Sequence, residues 1–181
     1  MCIRDSTWTQ WLVDDQRFAA RRSDVLTYQT EVLTAPIEVS GEPVANIVEA
    51  TTGTDGDVVV KLIDVWPDEV PGHAEMGGYQ MPVSLDILRG RYRESFETAR
   101  PLTPGRPLPF RFPLPAVNHV FLPGHRIMVQ VQSSWFPLYD RNPHTFVANI
   151  FNARPEDYRR QAITLFHSRH EQSFVELPVV K

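Results

Sequence analysis

The chain has 181 residues, 42% of them hydrophobic and 22% charged, with a net charge of -4. That is enough chain for one domain with a single sizeable core, and the balance offers no basic field to gather nucleic acid. No apolar run approaches the roughly 20 residues that a membrane helix needs, sixteen prolines argue against long helices, and a lone cysteine, Cys2, excludes a disulfide within the chain.

Met1 to Ser6 carries no cap, no periodicity and no signal-peptide profile, and reads as a non-native leader. Residues 7–23 read as a segment leading in from an upstream part of a longer protein, and residues 24–181 as one domain. Trp8, Trp11, Leu12 and Phe18 are scattered through a polar stretch, where they can cap the core or dock on a neighbour. Val25 to Thr30 is rich in strand formers. Ala35-Pro36 breaks it, Ile37 to Ser40 is a short strand, and Gly41-Glu42-Pro43 turns into a strand over Val44 to Ala50. Thr51 to Asp57 is a loop of turn residues. Val58 to Val65 is the most apolar strand and the candidate centre of a sheet. Pro67 to Gly78 is a long loop, and Leu85 to Arg93 fits either a strand or a helical turn.

Leu108, Phe110, Phe112 and Leu114 alternate inward, while Pro109 and Pro113 deny ladder donors and place this strand at a sheet edge. Asn118 to Phe121 leads through the Pro123-Gly124 turn into a strand in which Ile127, Val129 and Val131 face one way and Met128, Gln130 and Gln132 the other. One buried face is expected there. The strand delivers Trp135, Phe136 and Tyr139 and the polar turn Asp140-Arg141-Asn142-Pro143 to one end of the sheet. Arg154 to Gln161 is the best candidate helix, and Ile163 to Phe166 and Phe174 to Val180 are the last strands. Many short strands separated by turn signals predict an all-β fold, a two-sheet sandwich or jelly roll with one or two short helices.

Candidate chemistry is sparse. No serine has the Gly-x-Ser-x-Gly setting that a nucleophile elbow requires, and the one cysteine lies in the leader. His167 and His170 would suit a metal only on a helix; strands flank them, so a turn is the expected setting. Asp55-Gly56-Asp57 falls short of an EF-hand ligand set and reads as turn chemistry. No catalytic residue, metal ligand or cofactor site is assigned. Trp135, Phe136, Tyr139, Asp140, Arg141 and Asn142 remain as candidates for a substrate-entrance or domain-interface surface, with Asp140 and Arg141 read as an ion pair that fixes the loop. An exposed aromatic platform there would equally suit an independent carbohydrate-binding module.

Five ordered motifs carry a resemblance: Val59-Val-Lys-Leu-Ile-Asp-Val65, Leu88-Arg-Gly-Arg-Tyr-Arg-Glu-Ser95, Asn118-His-Val-Phe-Leu-Pro-Gly-His-Arg126, Val129-Gln-Val-Gln-Ser-Ser134 and Phe136-Pro-Leu-Tyr-Asp-Arg-Asn142, with the closing His167 to Pro178 segment. The chain resembles the C-terminal domain of the X-prolyl dipeptidyl-peptidase and cocaine esterase family of serine hydrolases. Trp11 to Phe18 and Met76 to Gln80 look most like the α-amino acid ester hydrolases. The resemblance implies a galactose-binding-like jelly roll packed on an α/β-hydrolase domain of the same longer chain, which would hold the serine, aspartate and histidine triad. His119, His125 and His167 match positions of this domain, none of them the triad histidine. It also implies an inactive fragment, a parent that is exported or periplasmic, and an apolar patch around Trp8, Trp11 and Phe18 through which copies would self-associate into a homo-oligomer.

Overall fold

The computed structural model describes residues 13–180. Among the described residues a single short α-helix, α1 (Arg17–Ala20), precedes ten strands: β1 (Val25–Gln29), β2 (Ile37–Gly41), β3 (Val44–Thr51), β4 (Asp57–Val65), β5 (Gln80–Arg89), β6 (Leu108–Pro113), β7 (Val117–Phe121), β8 (Arg126–Gln132), β9 (Ile163–Phe166) and β10 (Phe174–Glu176). One sheet runs β1-β8-β4-β5. A second runs β10-β3-β6, with β9 also on β3, and β2 pairs with β7 in a small third sheet. Every pairing is antiparallel. The expected all-β sandwich is what the chain forms.

The core lies between the two larger sheets. Val58, Val60 and Leu62 of β4, Ala45 and Ile47 of β3, Phe110 and Phe112 of β6, and Ile127 and Val131 of β8 meet there. Each Val, Leu, Ile or Phe side chain among them, fully buried, contributes about 1.5–3 kcal/mol. β4 is central as expected, with all nine residues buried. β6 sits at the edge where its prolines place it, and Phe110, Phe112 and Leu114 are buried.

Two expectations are corrected, for Arg154 to Gln161 and for β8, and two are filled in. The segment from Arg154 to Gln161 is not a helix: only a 3-10 turn forms over Pro155–Asp157, closed by the Arg154 N–H donating to Asp157 Oδ2 (2.8 Å). Beyond it the Arg159 N–H donates to the Pro143 carbonyl (2.9 Å), so a neighbouring loop holds the donor that a helix would need. The Leu85–Arg93 ambiguity resolves into both forms, β5 to Arg89 and a 3-10 turn at Gly90–Tyr92. β5 also starts earlier than expected, at Gln80, with a register shift at Leu62/Ile63 near Pro82. Asn118 to Phe121 belongs to a strand, β7, rather than a plain lead-in.

β8, finally, is buried on both faces. Gln130 has 0% exposure, and Met128 packs with Ile63 and Val65 in a second small cluster. The cover is the segment Asp14 to Ala20. The Gln16 N–H donates to the Gln80 carbonyl (3.0 Å), Lys61 Nζ donates to Gln16 Oε1 (2.8 Å), and Arg17 Nη1 donates to the Gly77 carbonyl (2.8 Å). Trp8, Trp11 and Leu12 lie outside the described residues; Phe18 is exposed, with the Lys61 ammonium 5.8 Å from its ring centroid.

Candidate functional site

β8 ends at Gln132, whose side-chain amide donates to the Ser134 carbonyl (2.7 Å) and turns the chain off the sheet. Trp135 then folds inward and is buried, while Phe136 stays 40% exposed. Trp135 stacks on Tyr139 (centroids 5.9 Å, planes 20° apart), and the Tyr139 N–H donates to the Trp135 carbonyl (3.0 Å). From β5, the Arg89 guanidinium lies 6.0 Å from the Tyr139 ring, and its Nη2 donates to the Asp140 carbonyl (3.3 Å). Asp140 and Arg141 do not form the expected ion pair. Adjacent residues in this turn diverge, and the Arg141 guanidinium lies over the Phe136 ring at 4.5 Å. That contact is a cation–π one.

Asn142 is the anchor. It is buried, its Nδ2 donates to Asp57 Oδ1 (2.8 Å), and its Oδ1 accepts from the His144 N–H (2.9 Å). His144 adopts φ 64°, a left-handed conformation uncommon for a side chain with a Cβ. Burial lifts the Asp57 carboxyl to about 6, against the Asn142 hydrogen bond and the Arg89 and Arg91 charges, which pull it down.

Beneath this anchor lies a buried ion pair. Arg91 Nε and Nη2 both donate to Asp55 Oδ2 (2.8 and 2.6 Å), Nη2 also donates to the Val147 carbonyl (2.9 Å), and the Phe146 ring stands 4.8 Å from the guanidinium. The Phe146 N–H donates to Thr54 Oγ1 (2.8 Å) and the Thr54 N–H to the His144 carbonyl (3.0 Å). Asp55 and Asp57 therefore have protein partners; Asp55 also accepts from the Gly56 N–H, while Asp57 opens β4 rather than lying in a turn.

Phe136, Asp140 and Arg141 form one wall of a crevice of about 370 Å³; Ile150, Phe151 and Tyr158 form another. Its lining includes three aromatic side chains, one carboxylate and one guanidinium. The crevice can stack, and can pair with charges of either sign; it holds no group set up to attack a carbonyl. Among the described residues no serine hydroxyl is hydrogen-bonded to a histidine.

Of the six candidates, the structure thus brings Trp135, Tyr139 and Asn142 into the packed base of the loop, and leaves Phe136, Asp140 and Arg141 at the surface. Of the residues that hold the loop, Arg89 and Arg91 are not singled out by the sequence as candidates, and Asp55 and Asp57 are read there only as turn residues. Their signal was available: charges embedded in an apolar strand and beside a glycine turn need partners. The same holds for Asp64. It is buried, with His119 Nε2 3.0 Å from Oδ2 and His125 Nδ1 2.8 Å from Oδ1, and it pins the β7–β8 turn against Trp66. His167 and His170 are exposed in the β9–β10 turn.

Residues 6–175 match the X-Pro dipeptidyl-peptidase C-terminal non-catalytic domain. The chain belongs to this family. Among similar proteins of this family, the cocaine esterase of Rhodococcus sp. (strain MB1 Bresler) is 38% identical over 168 residues, covering 92% of this chain and 27% of the esterase. An α-amino acid ester hydrolase structure superposes with a TM-score of 0.93 at 56% identity, over 96% of this chain and 28% of that one. An aminopeptidase structure from a marine sediment archaeon, Thaumarchaeota archaeon, superposes with a TM-score of 0.94 at 55% identity, over 99% and 29%. The domain thus spans little more than a quarter of the proteins it resembles.

Proposed function

We propose that this non-catalytic domain is the accessory sandwich of a serine hydrolase that cleaves peptide or ester bonds by acyl transfer. In this reading it packs on an α/β-hydrolase domain of the same longer chain, and the loop from Trp135 to Asn142 helps wall the substrate entrance. The observation that carries the reading is the construction of that loop. Two stacked aromatics and a buried asparagine fix it from below, while Phe136, Asp140 and Arg141 present an aromatic and charged crevice outward. A surface held this firmly and left this open suits a neighbour or a substrate. The names of the relatives, an esterase, an ester hydrolase and an aminopeptidase, agree on acyl substrates.

The test joins this domain to its upstream coding sequence, where a Gly-x-Ser-x-Gly followed by an aspartate and a histidine is expected. In that full chain, Trp135→Ala with Tyr139→Ala should lower kcat/KM by about tenfold or more, because a displaced wall misplaces substrate. Phe136→Ala with Arg141→Ala removes only surface groups and separates the entrance role from loss of packing. If both pairs leave assembly and kcat/KM unchanged, the loop is ordinary surface.

A further inference from the structure

The two larger sheets do not close along one side of the sandwich. β9 and β10 both pair with β3, and between them the chain leaves at Phe166 and returns at Phe174. Leu165 stands opposite Glu49 and Val175 opposite Ala45, so on that side of β3 no strand residue stands opposite Ile47. The gap is built rather than frayed. Ser173 Oγ accepts from the Val48 N–H (2.9 Å) and donates to the Phe166 carbonyl (2.5 Å), which satisfies the backbone at the break with a side chain.

What the gap leaves is an apolar groove of about 470 Å³ between the sheets, within the size range of small-molecule sites. Ile47 of β3 and Val131 of β8, both buried, form its floor together with Val129. Tyr28 of β1, Phe174 of β10 and His167 stand exposed at its mouth. Two polar groups at the mouth are unused. Among the described residues neither the Tyr28 hydroxyl nor the His167 ring hydrogen-bonds to the protein, whereas the Ser173 hydroxyl is committed to backbone. A phenol donates through its O–H and an imidazole through an N–H. The two donors belong to opposite sheets, so they reach the groove from opposite walls. The turn that begins at His167 adds Arg169 and His170, with Glu171 as its one carboxylate.

We propose that this groove binds a small carboxylate with an apolar tail, of the medium-chain fatty acid class. The tail lies along Ile47, Val129 and Val131, and the carboxylate accepts from the Tyr28 hydroxyl and the His167 ring. Each methylene taken out of water favours the bound state. A carboxylate is acceptor-only, which matches two unpaired donors, and charge strengthens both bonds. An ammonium head has no acceptor to offer them. The inference stands on the groove and not on the accessory role.

The experiment titrates the 181-residue chain with octanoate by methyl NMR and calorimetry, with circular dichroism to check the fold of each variant. Saturable shifts should concentrate at Ile47, Val129 and Val131, with a Kd of about 1 mM. Each methylene added from hexanoate to octanoate should tighten binding about threefold. Tyr28→Phe with His167→Ala should weaken octanoate about tenfold or more while leaving octanol within about twofold, because it removes the donors and keeps the apolar floor. Val129→Phe fills part of the groove and should weaken both ligands. The absence of a saturable shift up to about 10 mM octanoate overturns the proposal. So do shifts centred outside the groove, equal affinity for hexanoate and octanoate, or a folded double variant that loses octanol as fully as octanoate. Shifts at these methyls that follow protein concentration and not octanoate would mean that a second copy fills the groove, and they overturn it too.

Discussion

Glu49 gives the sharpest test of how this sandwich is put together. It sits on β3 in the same inward row as Ala45 and Ile47, beside Leu108 and Leu165 of the flanking strands, and it is buried. Its Oε1 meets no hydrogen-bond partner among the described residues. Burial first, and the nearby Asp57 carboxylate second, raise its carboxyl from the ordinary 4.5 to about 8. The folded protein therefore carries Glu49 protonated at neutral pH. The sign follows from proton counts: between pH 4.5 and about 8 the unfolded chain has lost this proton and the folded chain has kept it, so stability falls as pH rises through that window. The slope reaches about 1.4 kcal/mol per pH unit, or about 3 kcal/mol of cost by pH 7. Glu49→Gln keeps the shape and removes the titration. Urea unfolding of both proteins at a series of pH values from 5 to 8 should show the variant gaining on the wild type by about 3 kcal/mol across the range. Asp57 titrates in both proteins and largely cancels in the difference. A gap that stays level within about 0.5 kcal/mol would mean that Glu49 is ionised in the folded state, and the reasoning from burial would be wrong.

Two other buried charges make related predictions. Arg91→Ala leaves Asp55 with no compensating cation and should cost about 3–5 kcal/mol in urea unfolding, whereas Asp55→Leu with Arg91→Met should recover most of that loss. Lys61 is held down to about 8, by burial first and by Arg22 second, so the unfolded chain binds the extra proton between pH 8 and 10.5 and stability should rise with pH there. Lys61→Met should remove that rise and stabilise the protein by about 1–2 kcal/mol at pH 7, read as an increase in the urea midpoint.

The repeated use of buried charge connects the fold to the loop that it presents. Arg89 and Asp57 come from β5 and β4, where they stand opposite each other at one end of the β4–β5 pairing, and both reach the Trp135–Asn142 loop. A loop tied to the most buried strand inherits its rigidity, which is what a wall or a docking surface requires. The cost is two carboxyls held above their ordinary values in one end of the sandwich. That cost is typical of groups kept for geometry rather than for stability.

What the amino-acid sequence determined by itself was local. Alternation in Leu108–Leu114 and Ile127–Val131 named the inward residues, prolines put β6 on an edge, and the run from Val58 to Val65 declared itself central. The ordered motifs sufficed for the family. Tertiary structure alone decided the rest. Whether β8 has one buried face or two depends on Gln16 and Lys61, 45 residues apart; what holds the candidate loop depends on Asp57 and Asn142, 85 apart. Arg154 to Gln161 has the local content of a helix and loses it to a backbone bond from Arg159 to Pro143. A period-two pattern reports which side chains alternate, since that is set by the backbone of one strand. Which distant segment covers the second face, and which buried charge finds a partner, is set by chain crossings that no short window contains.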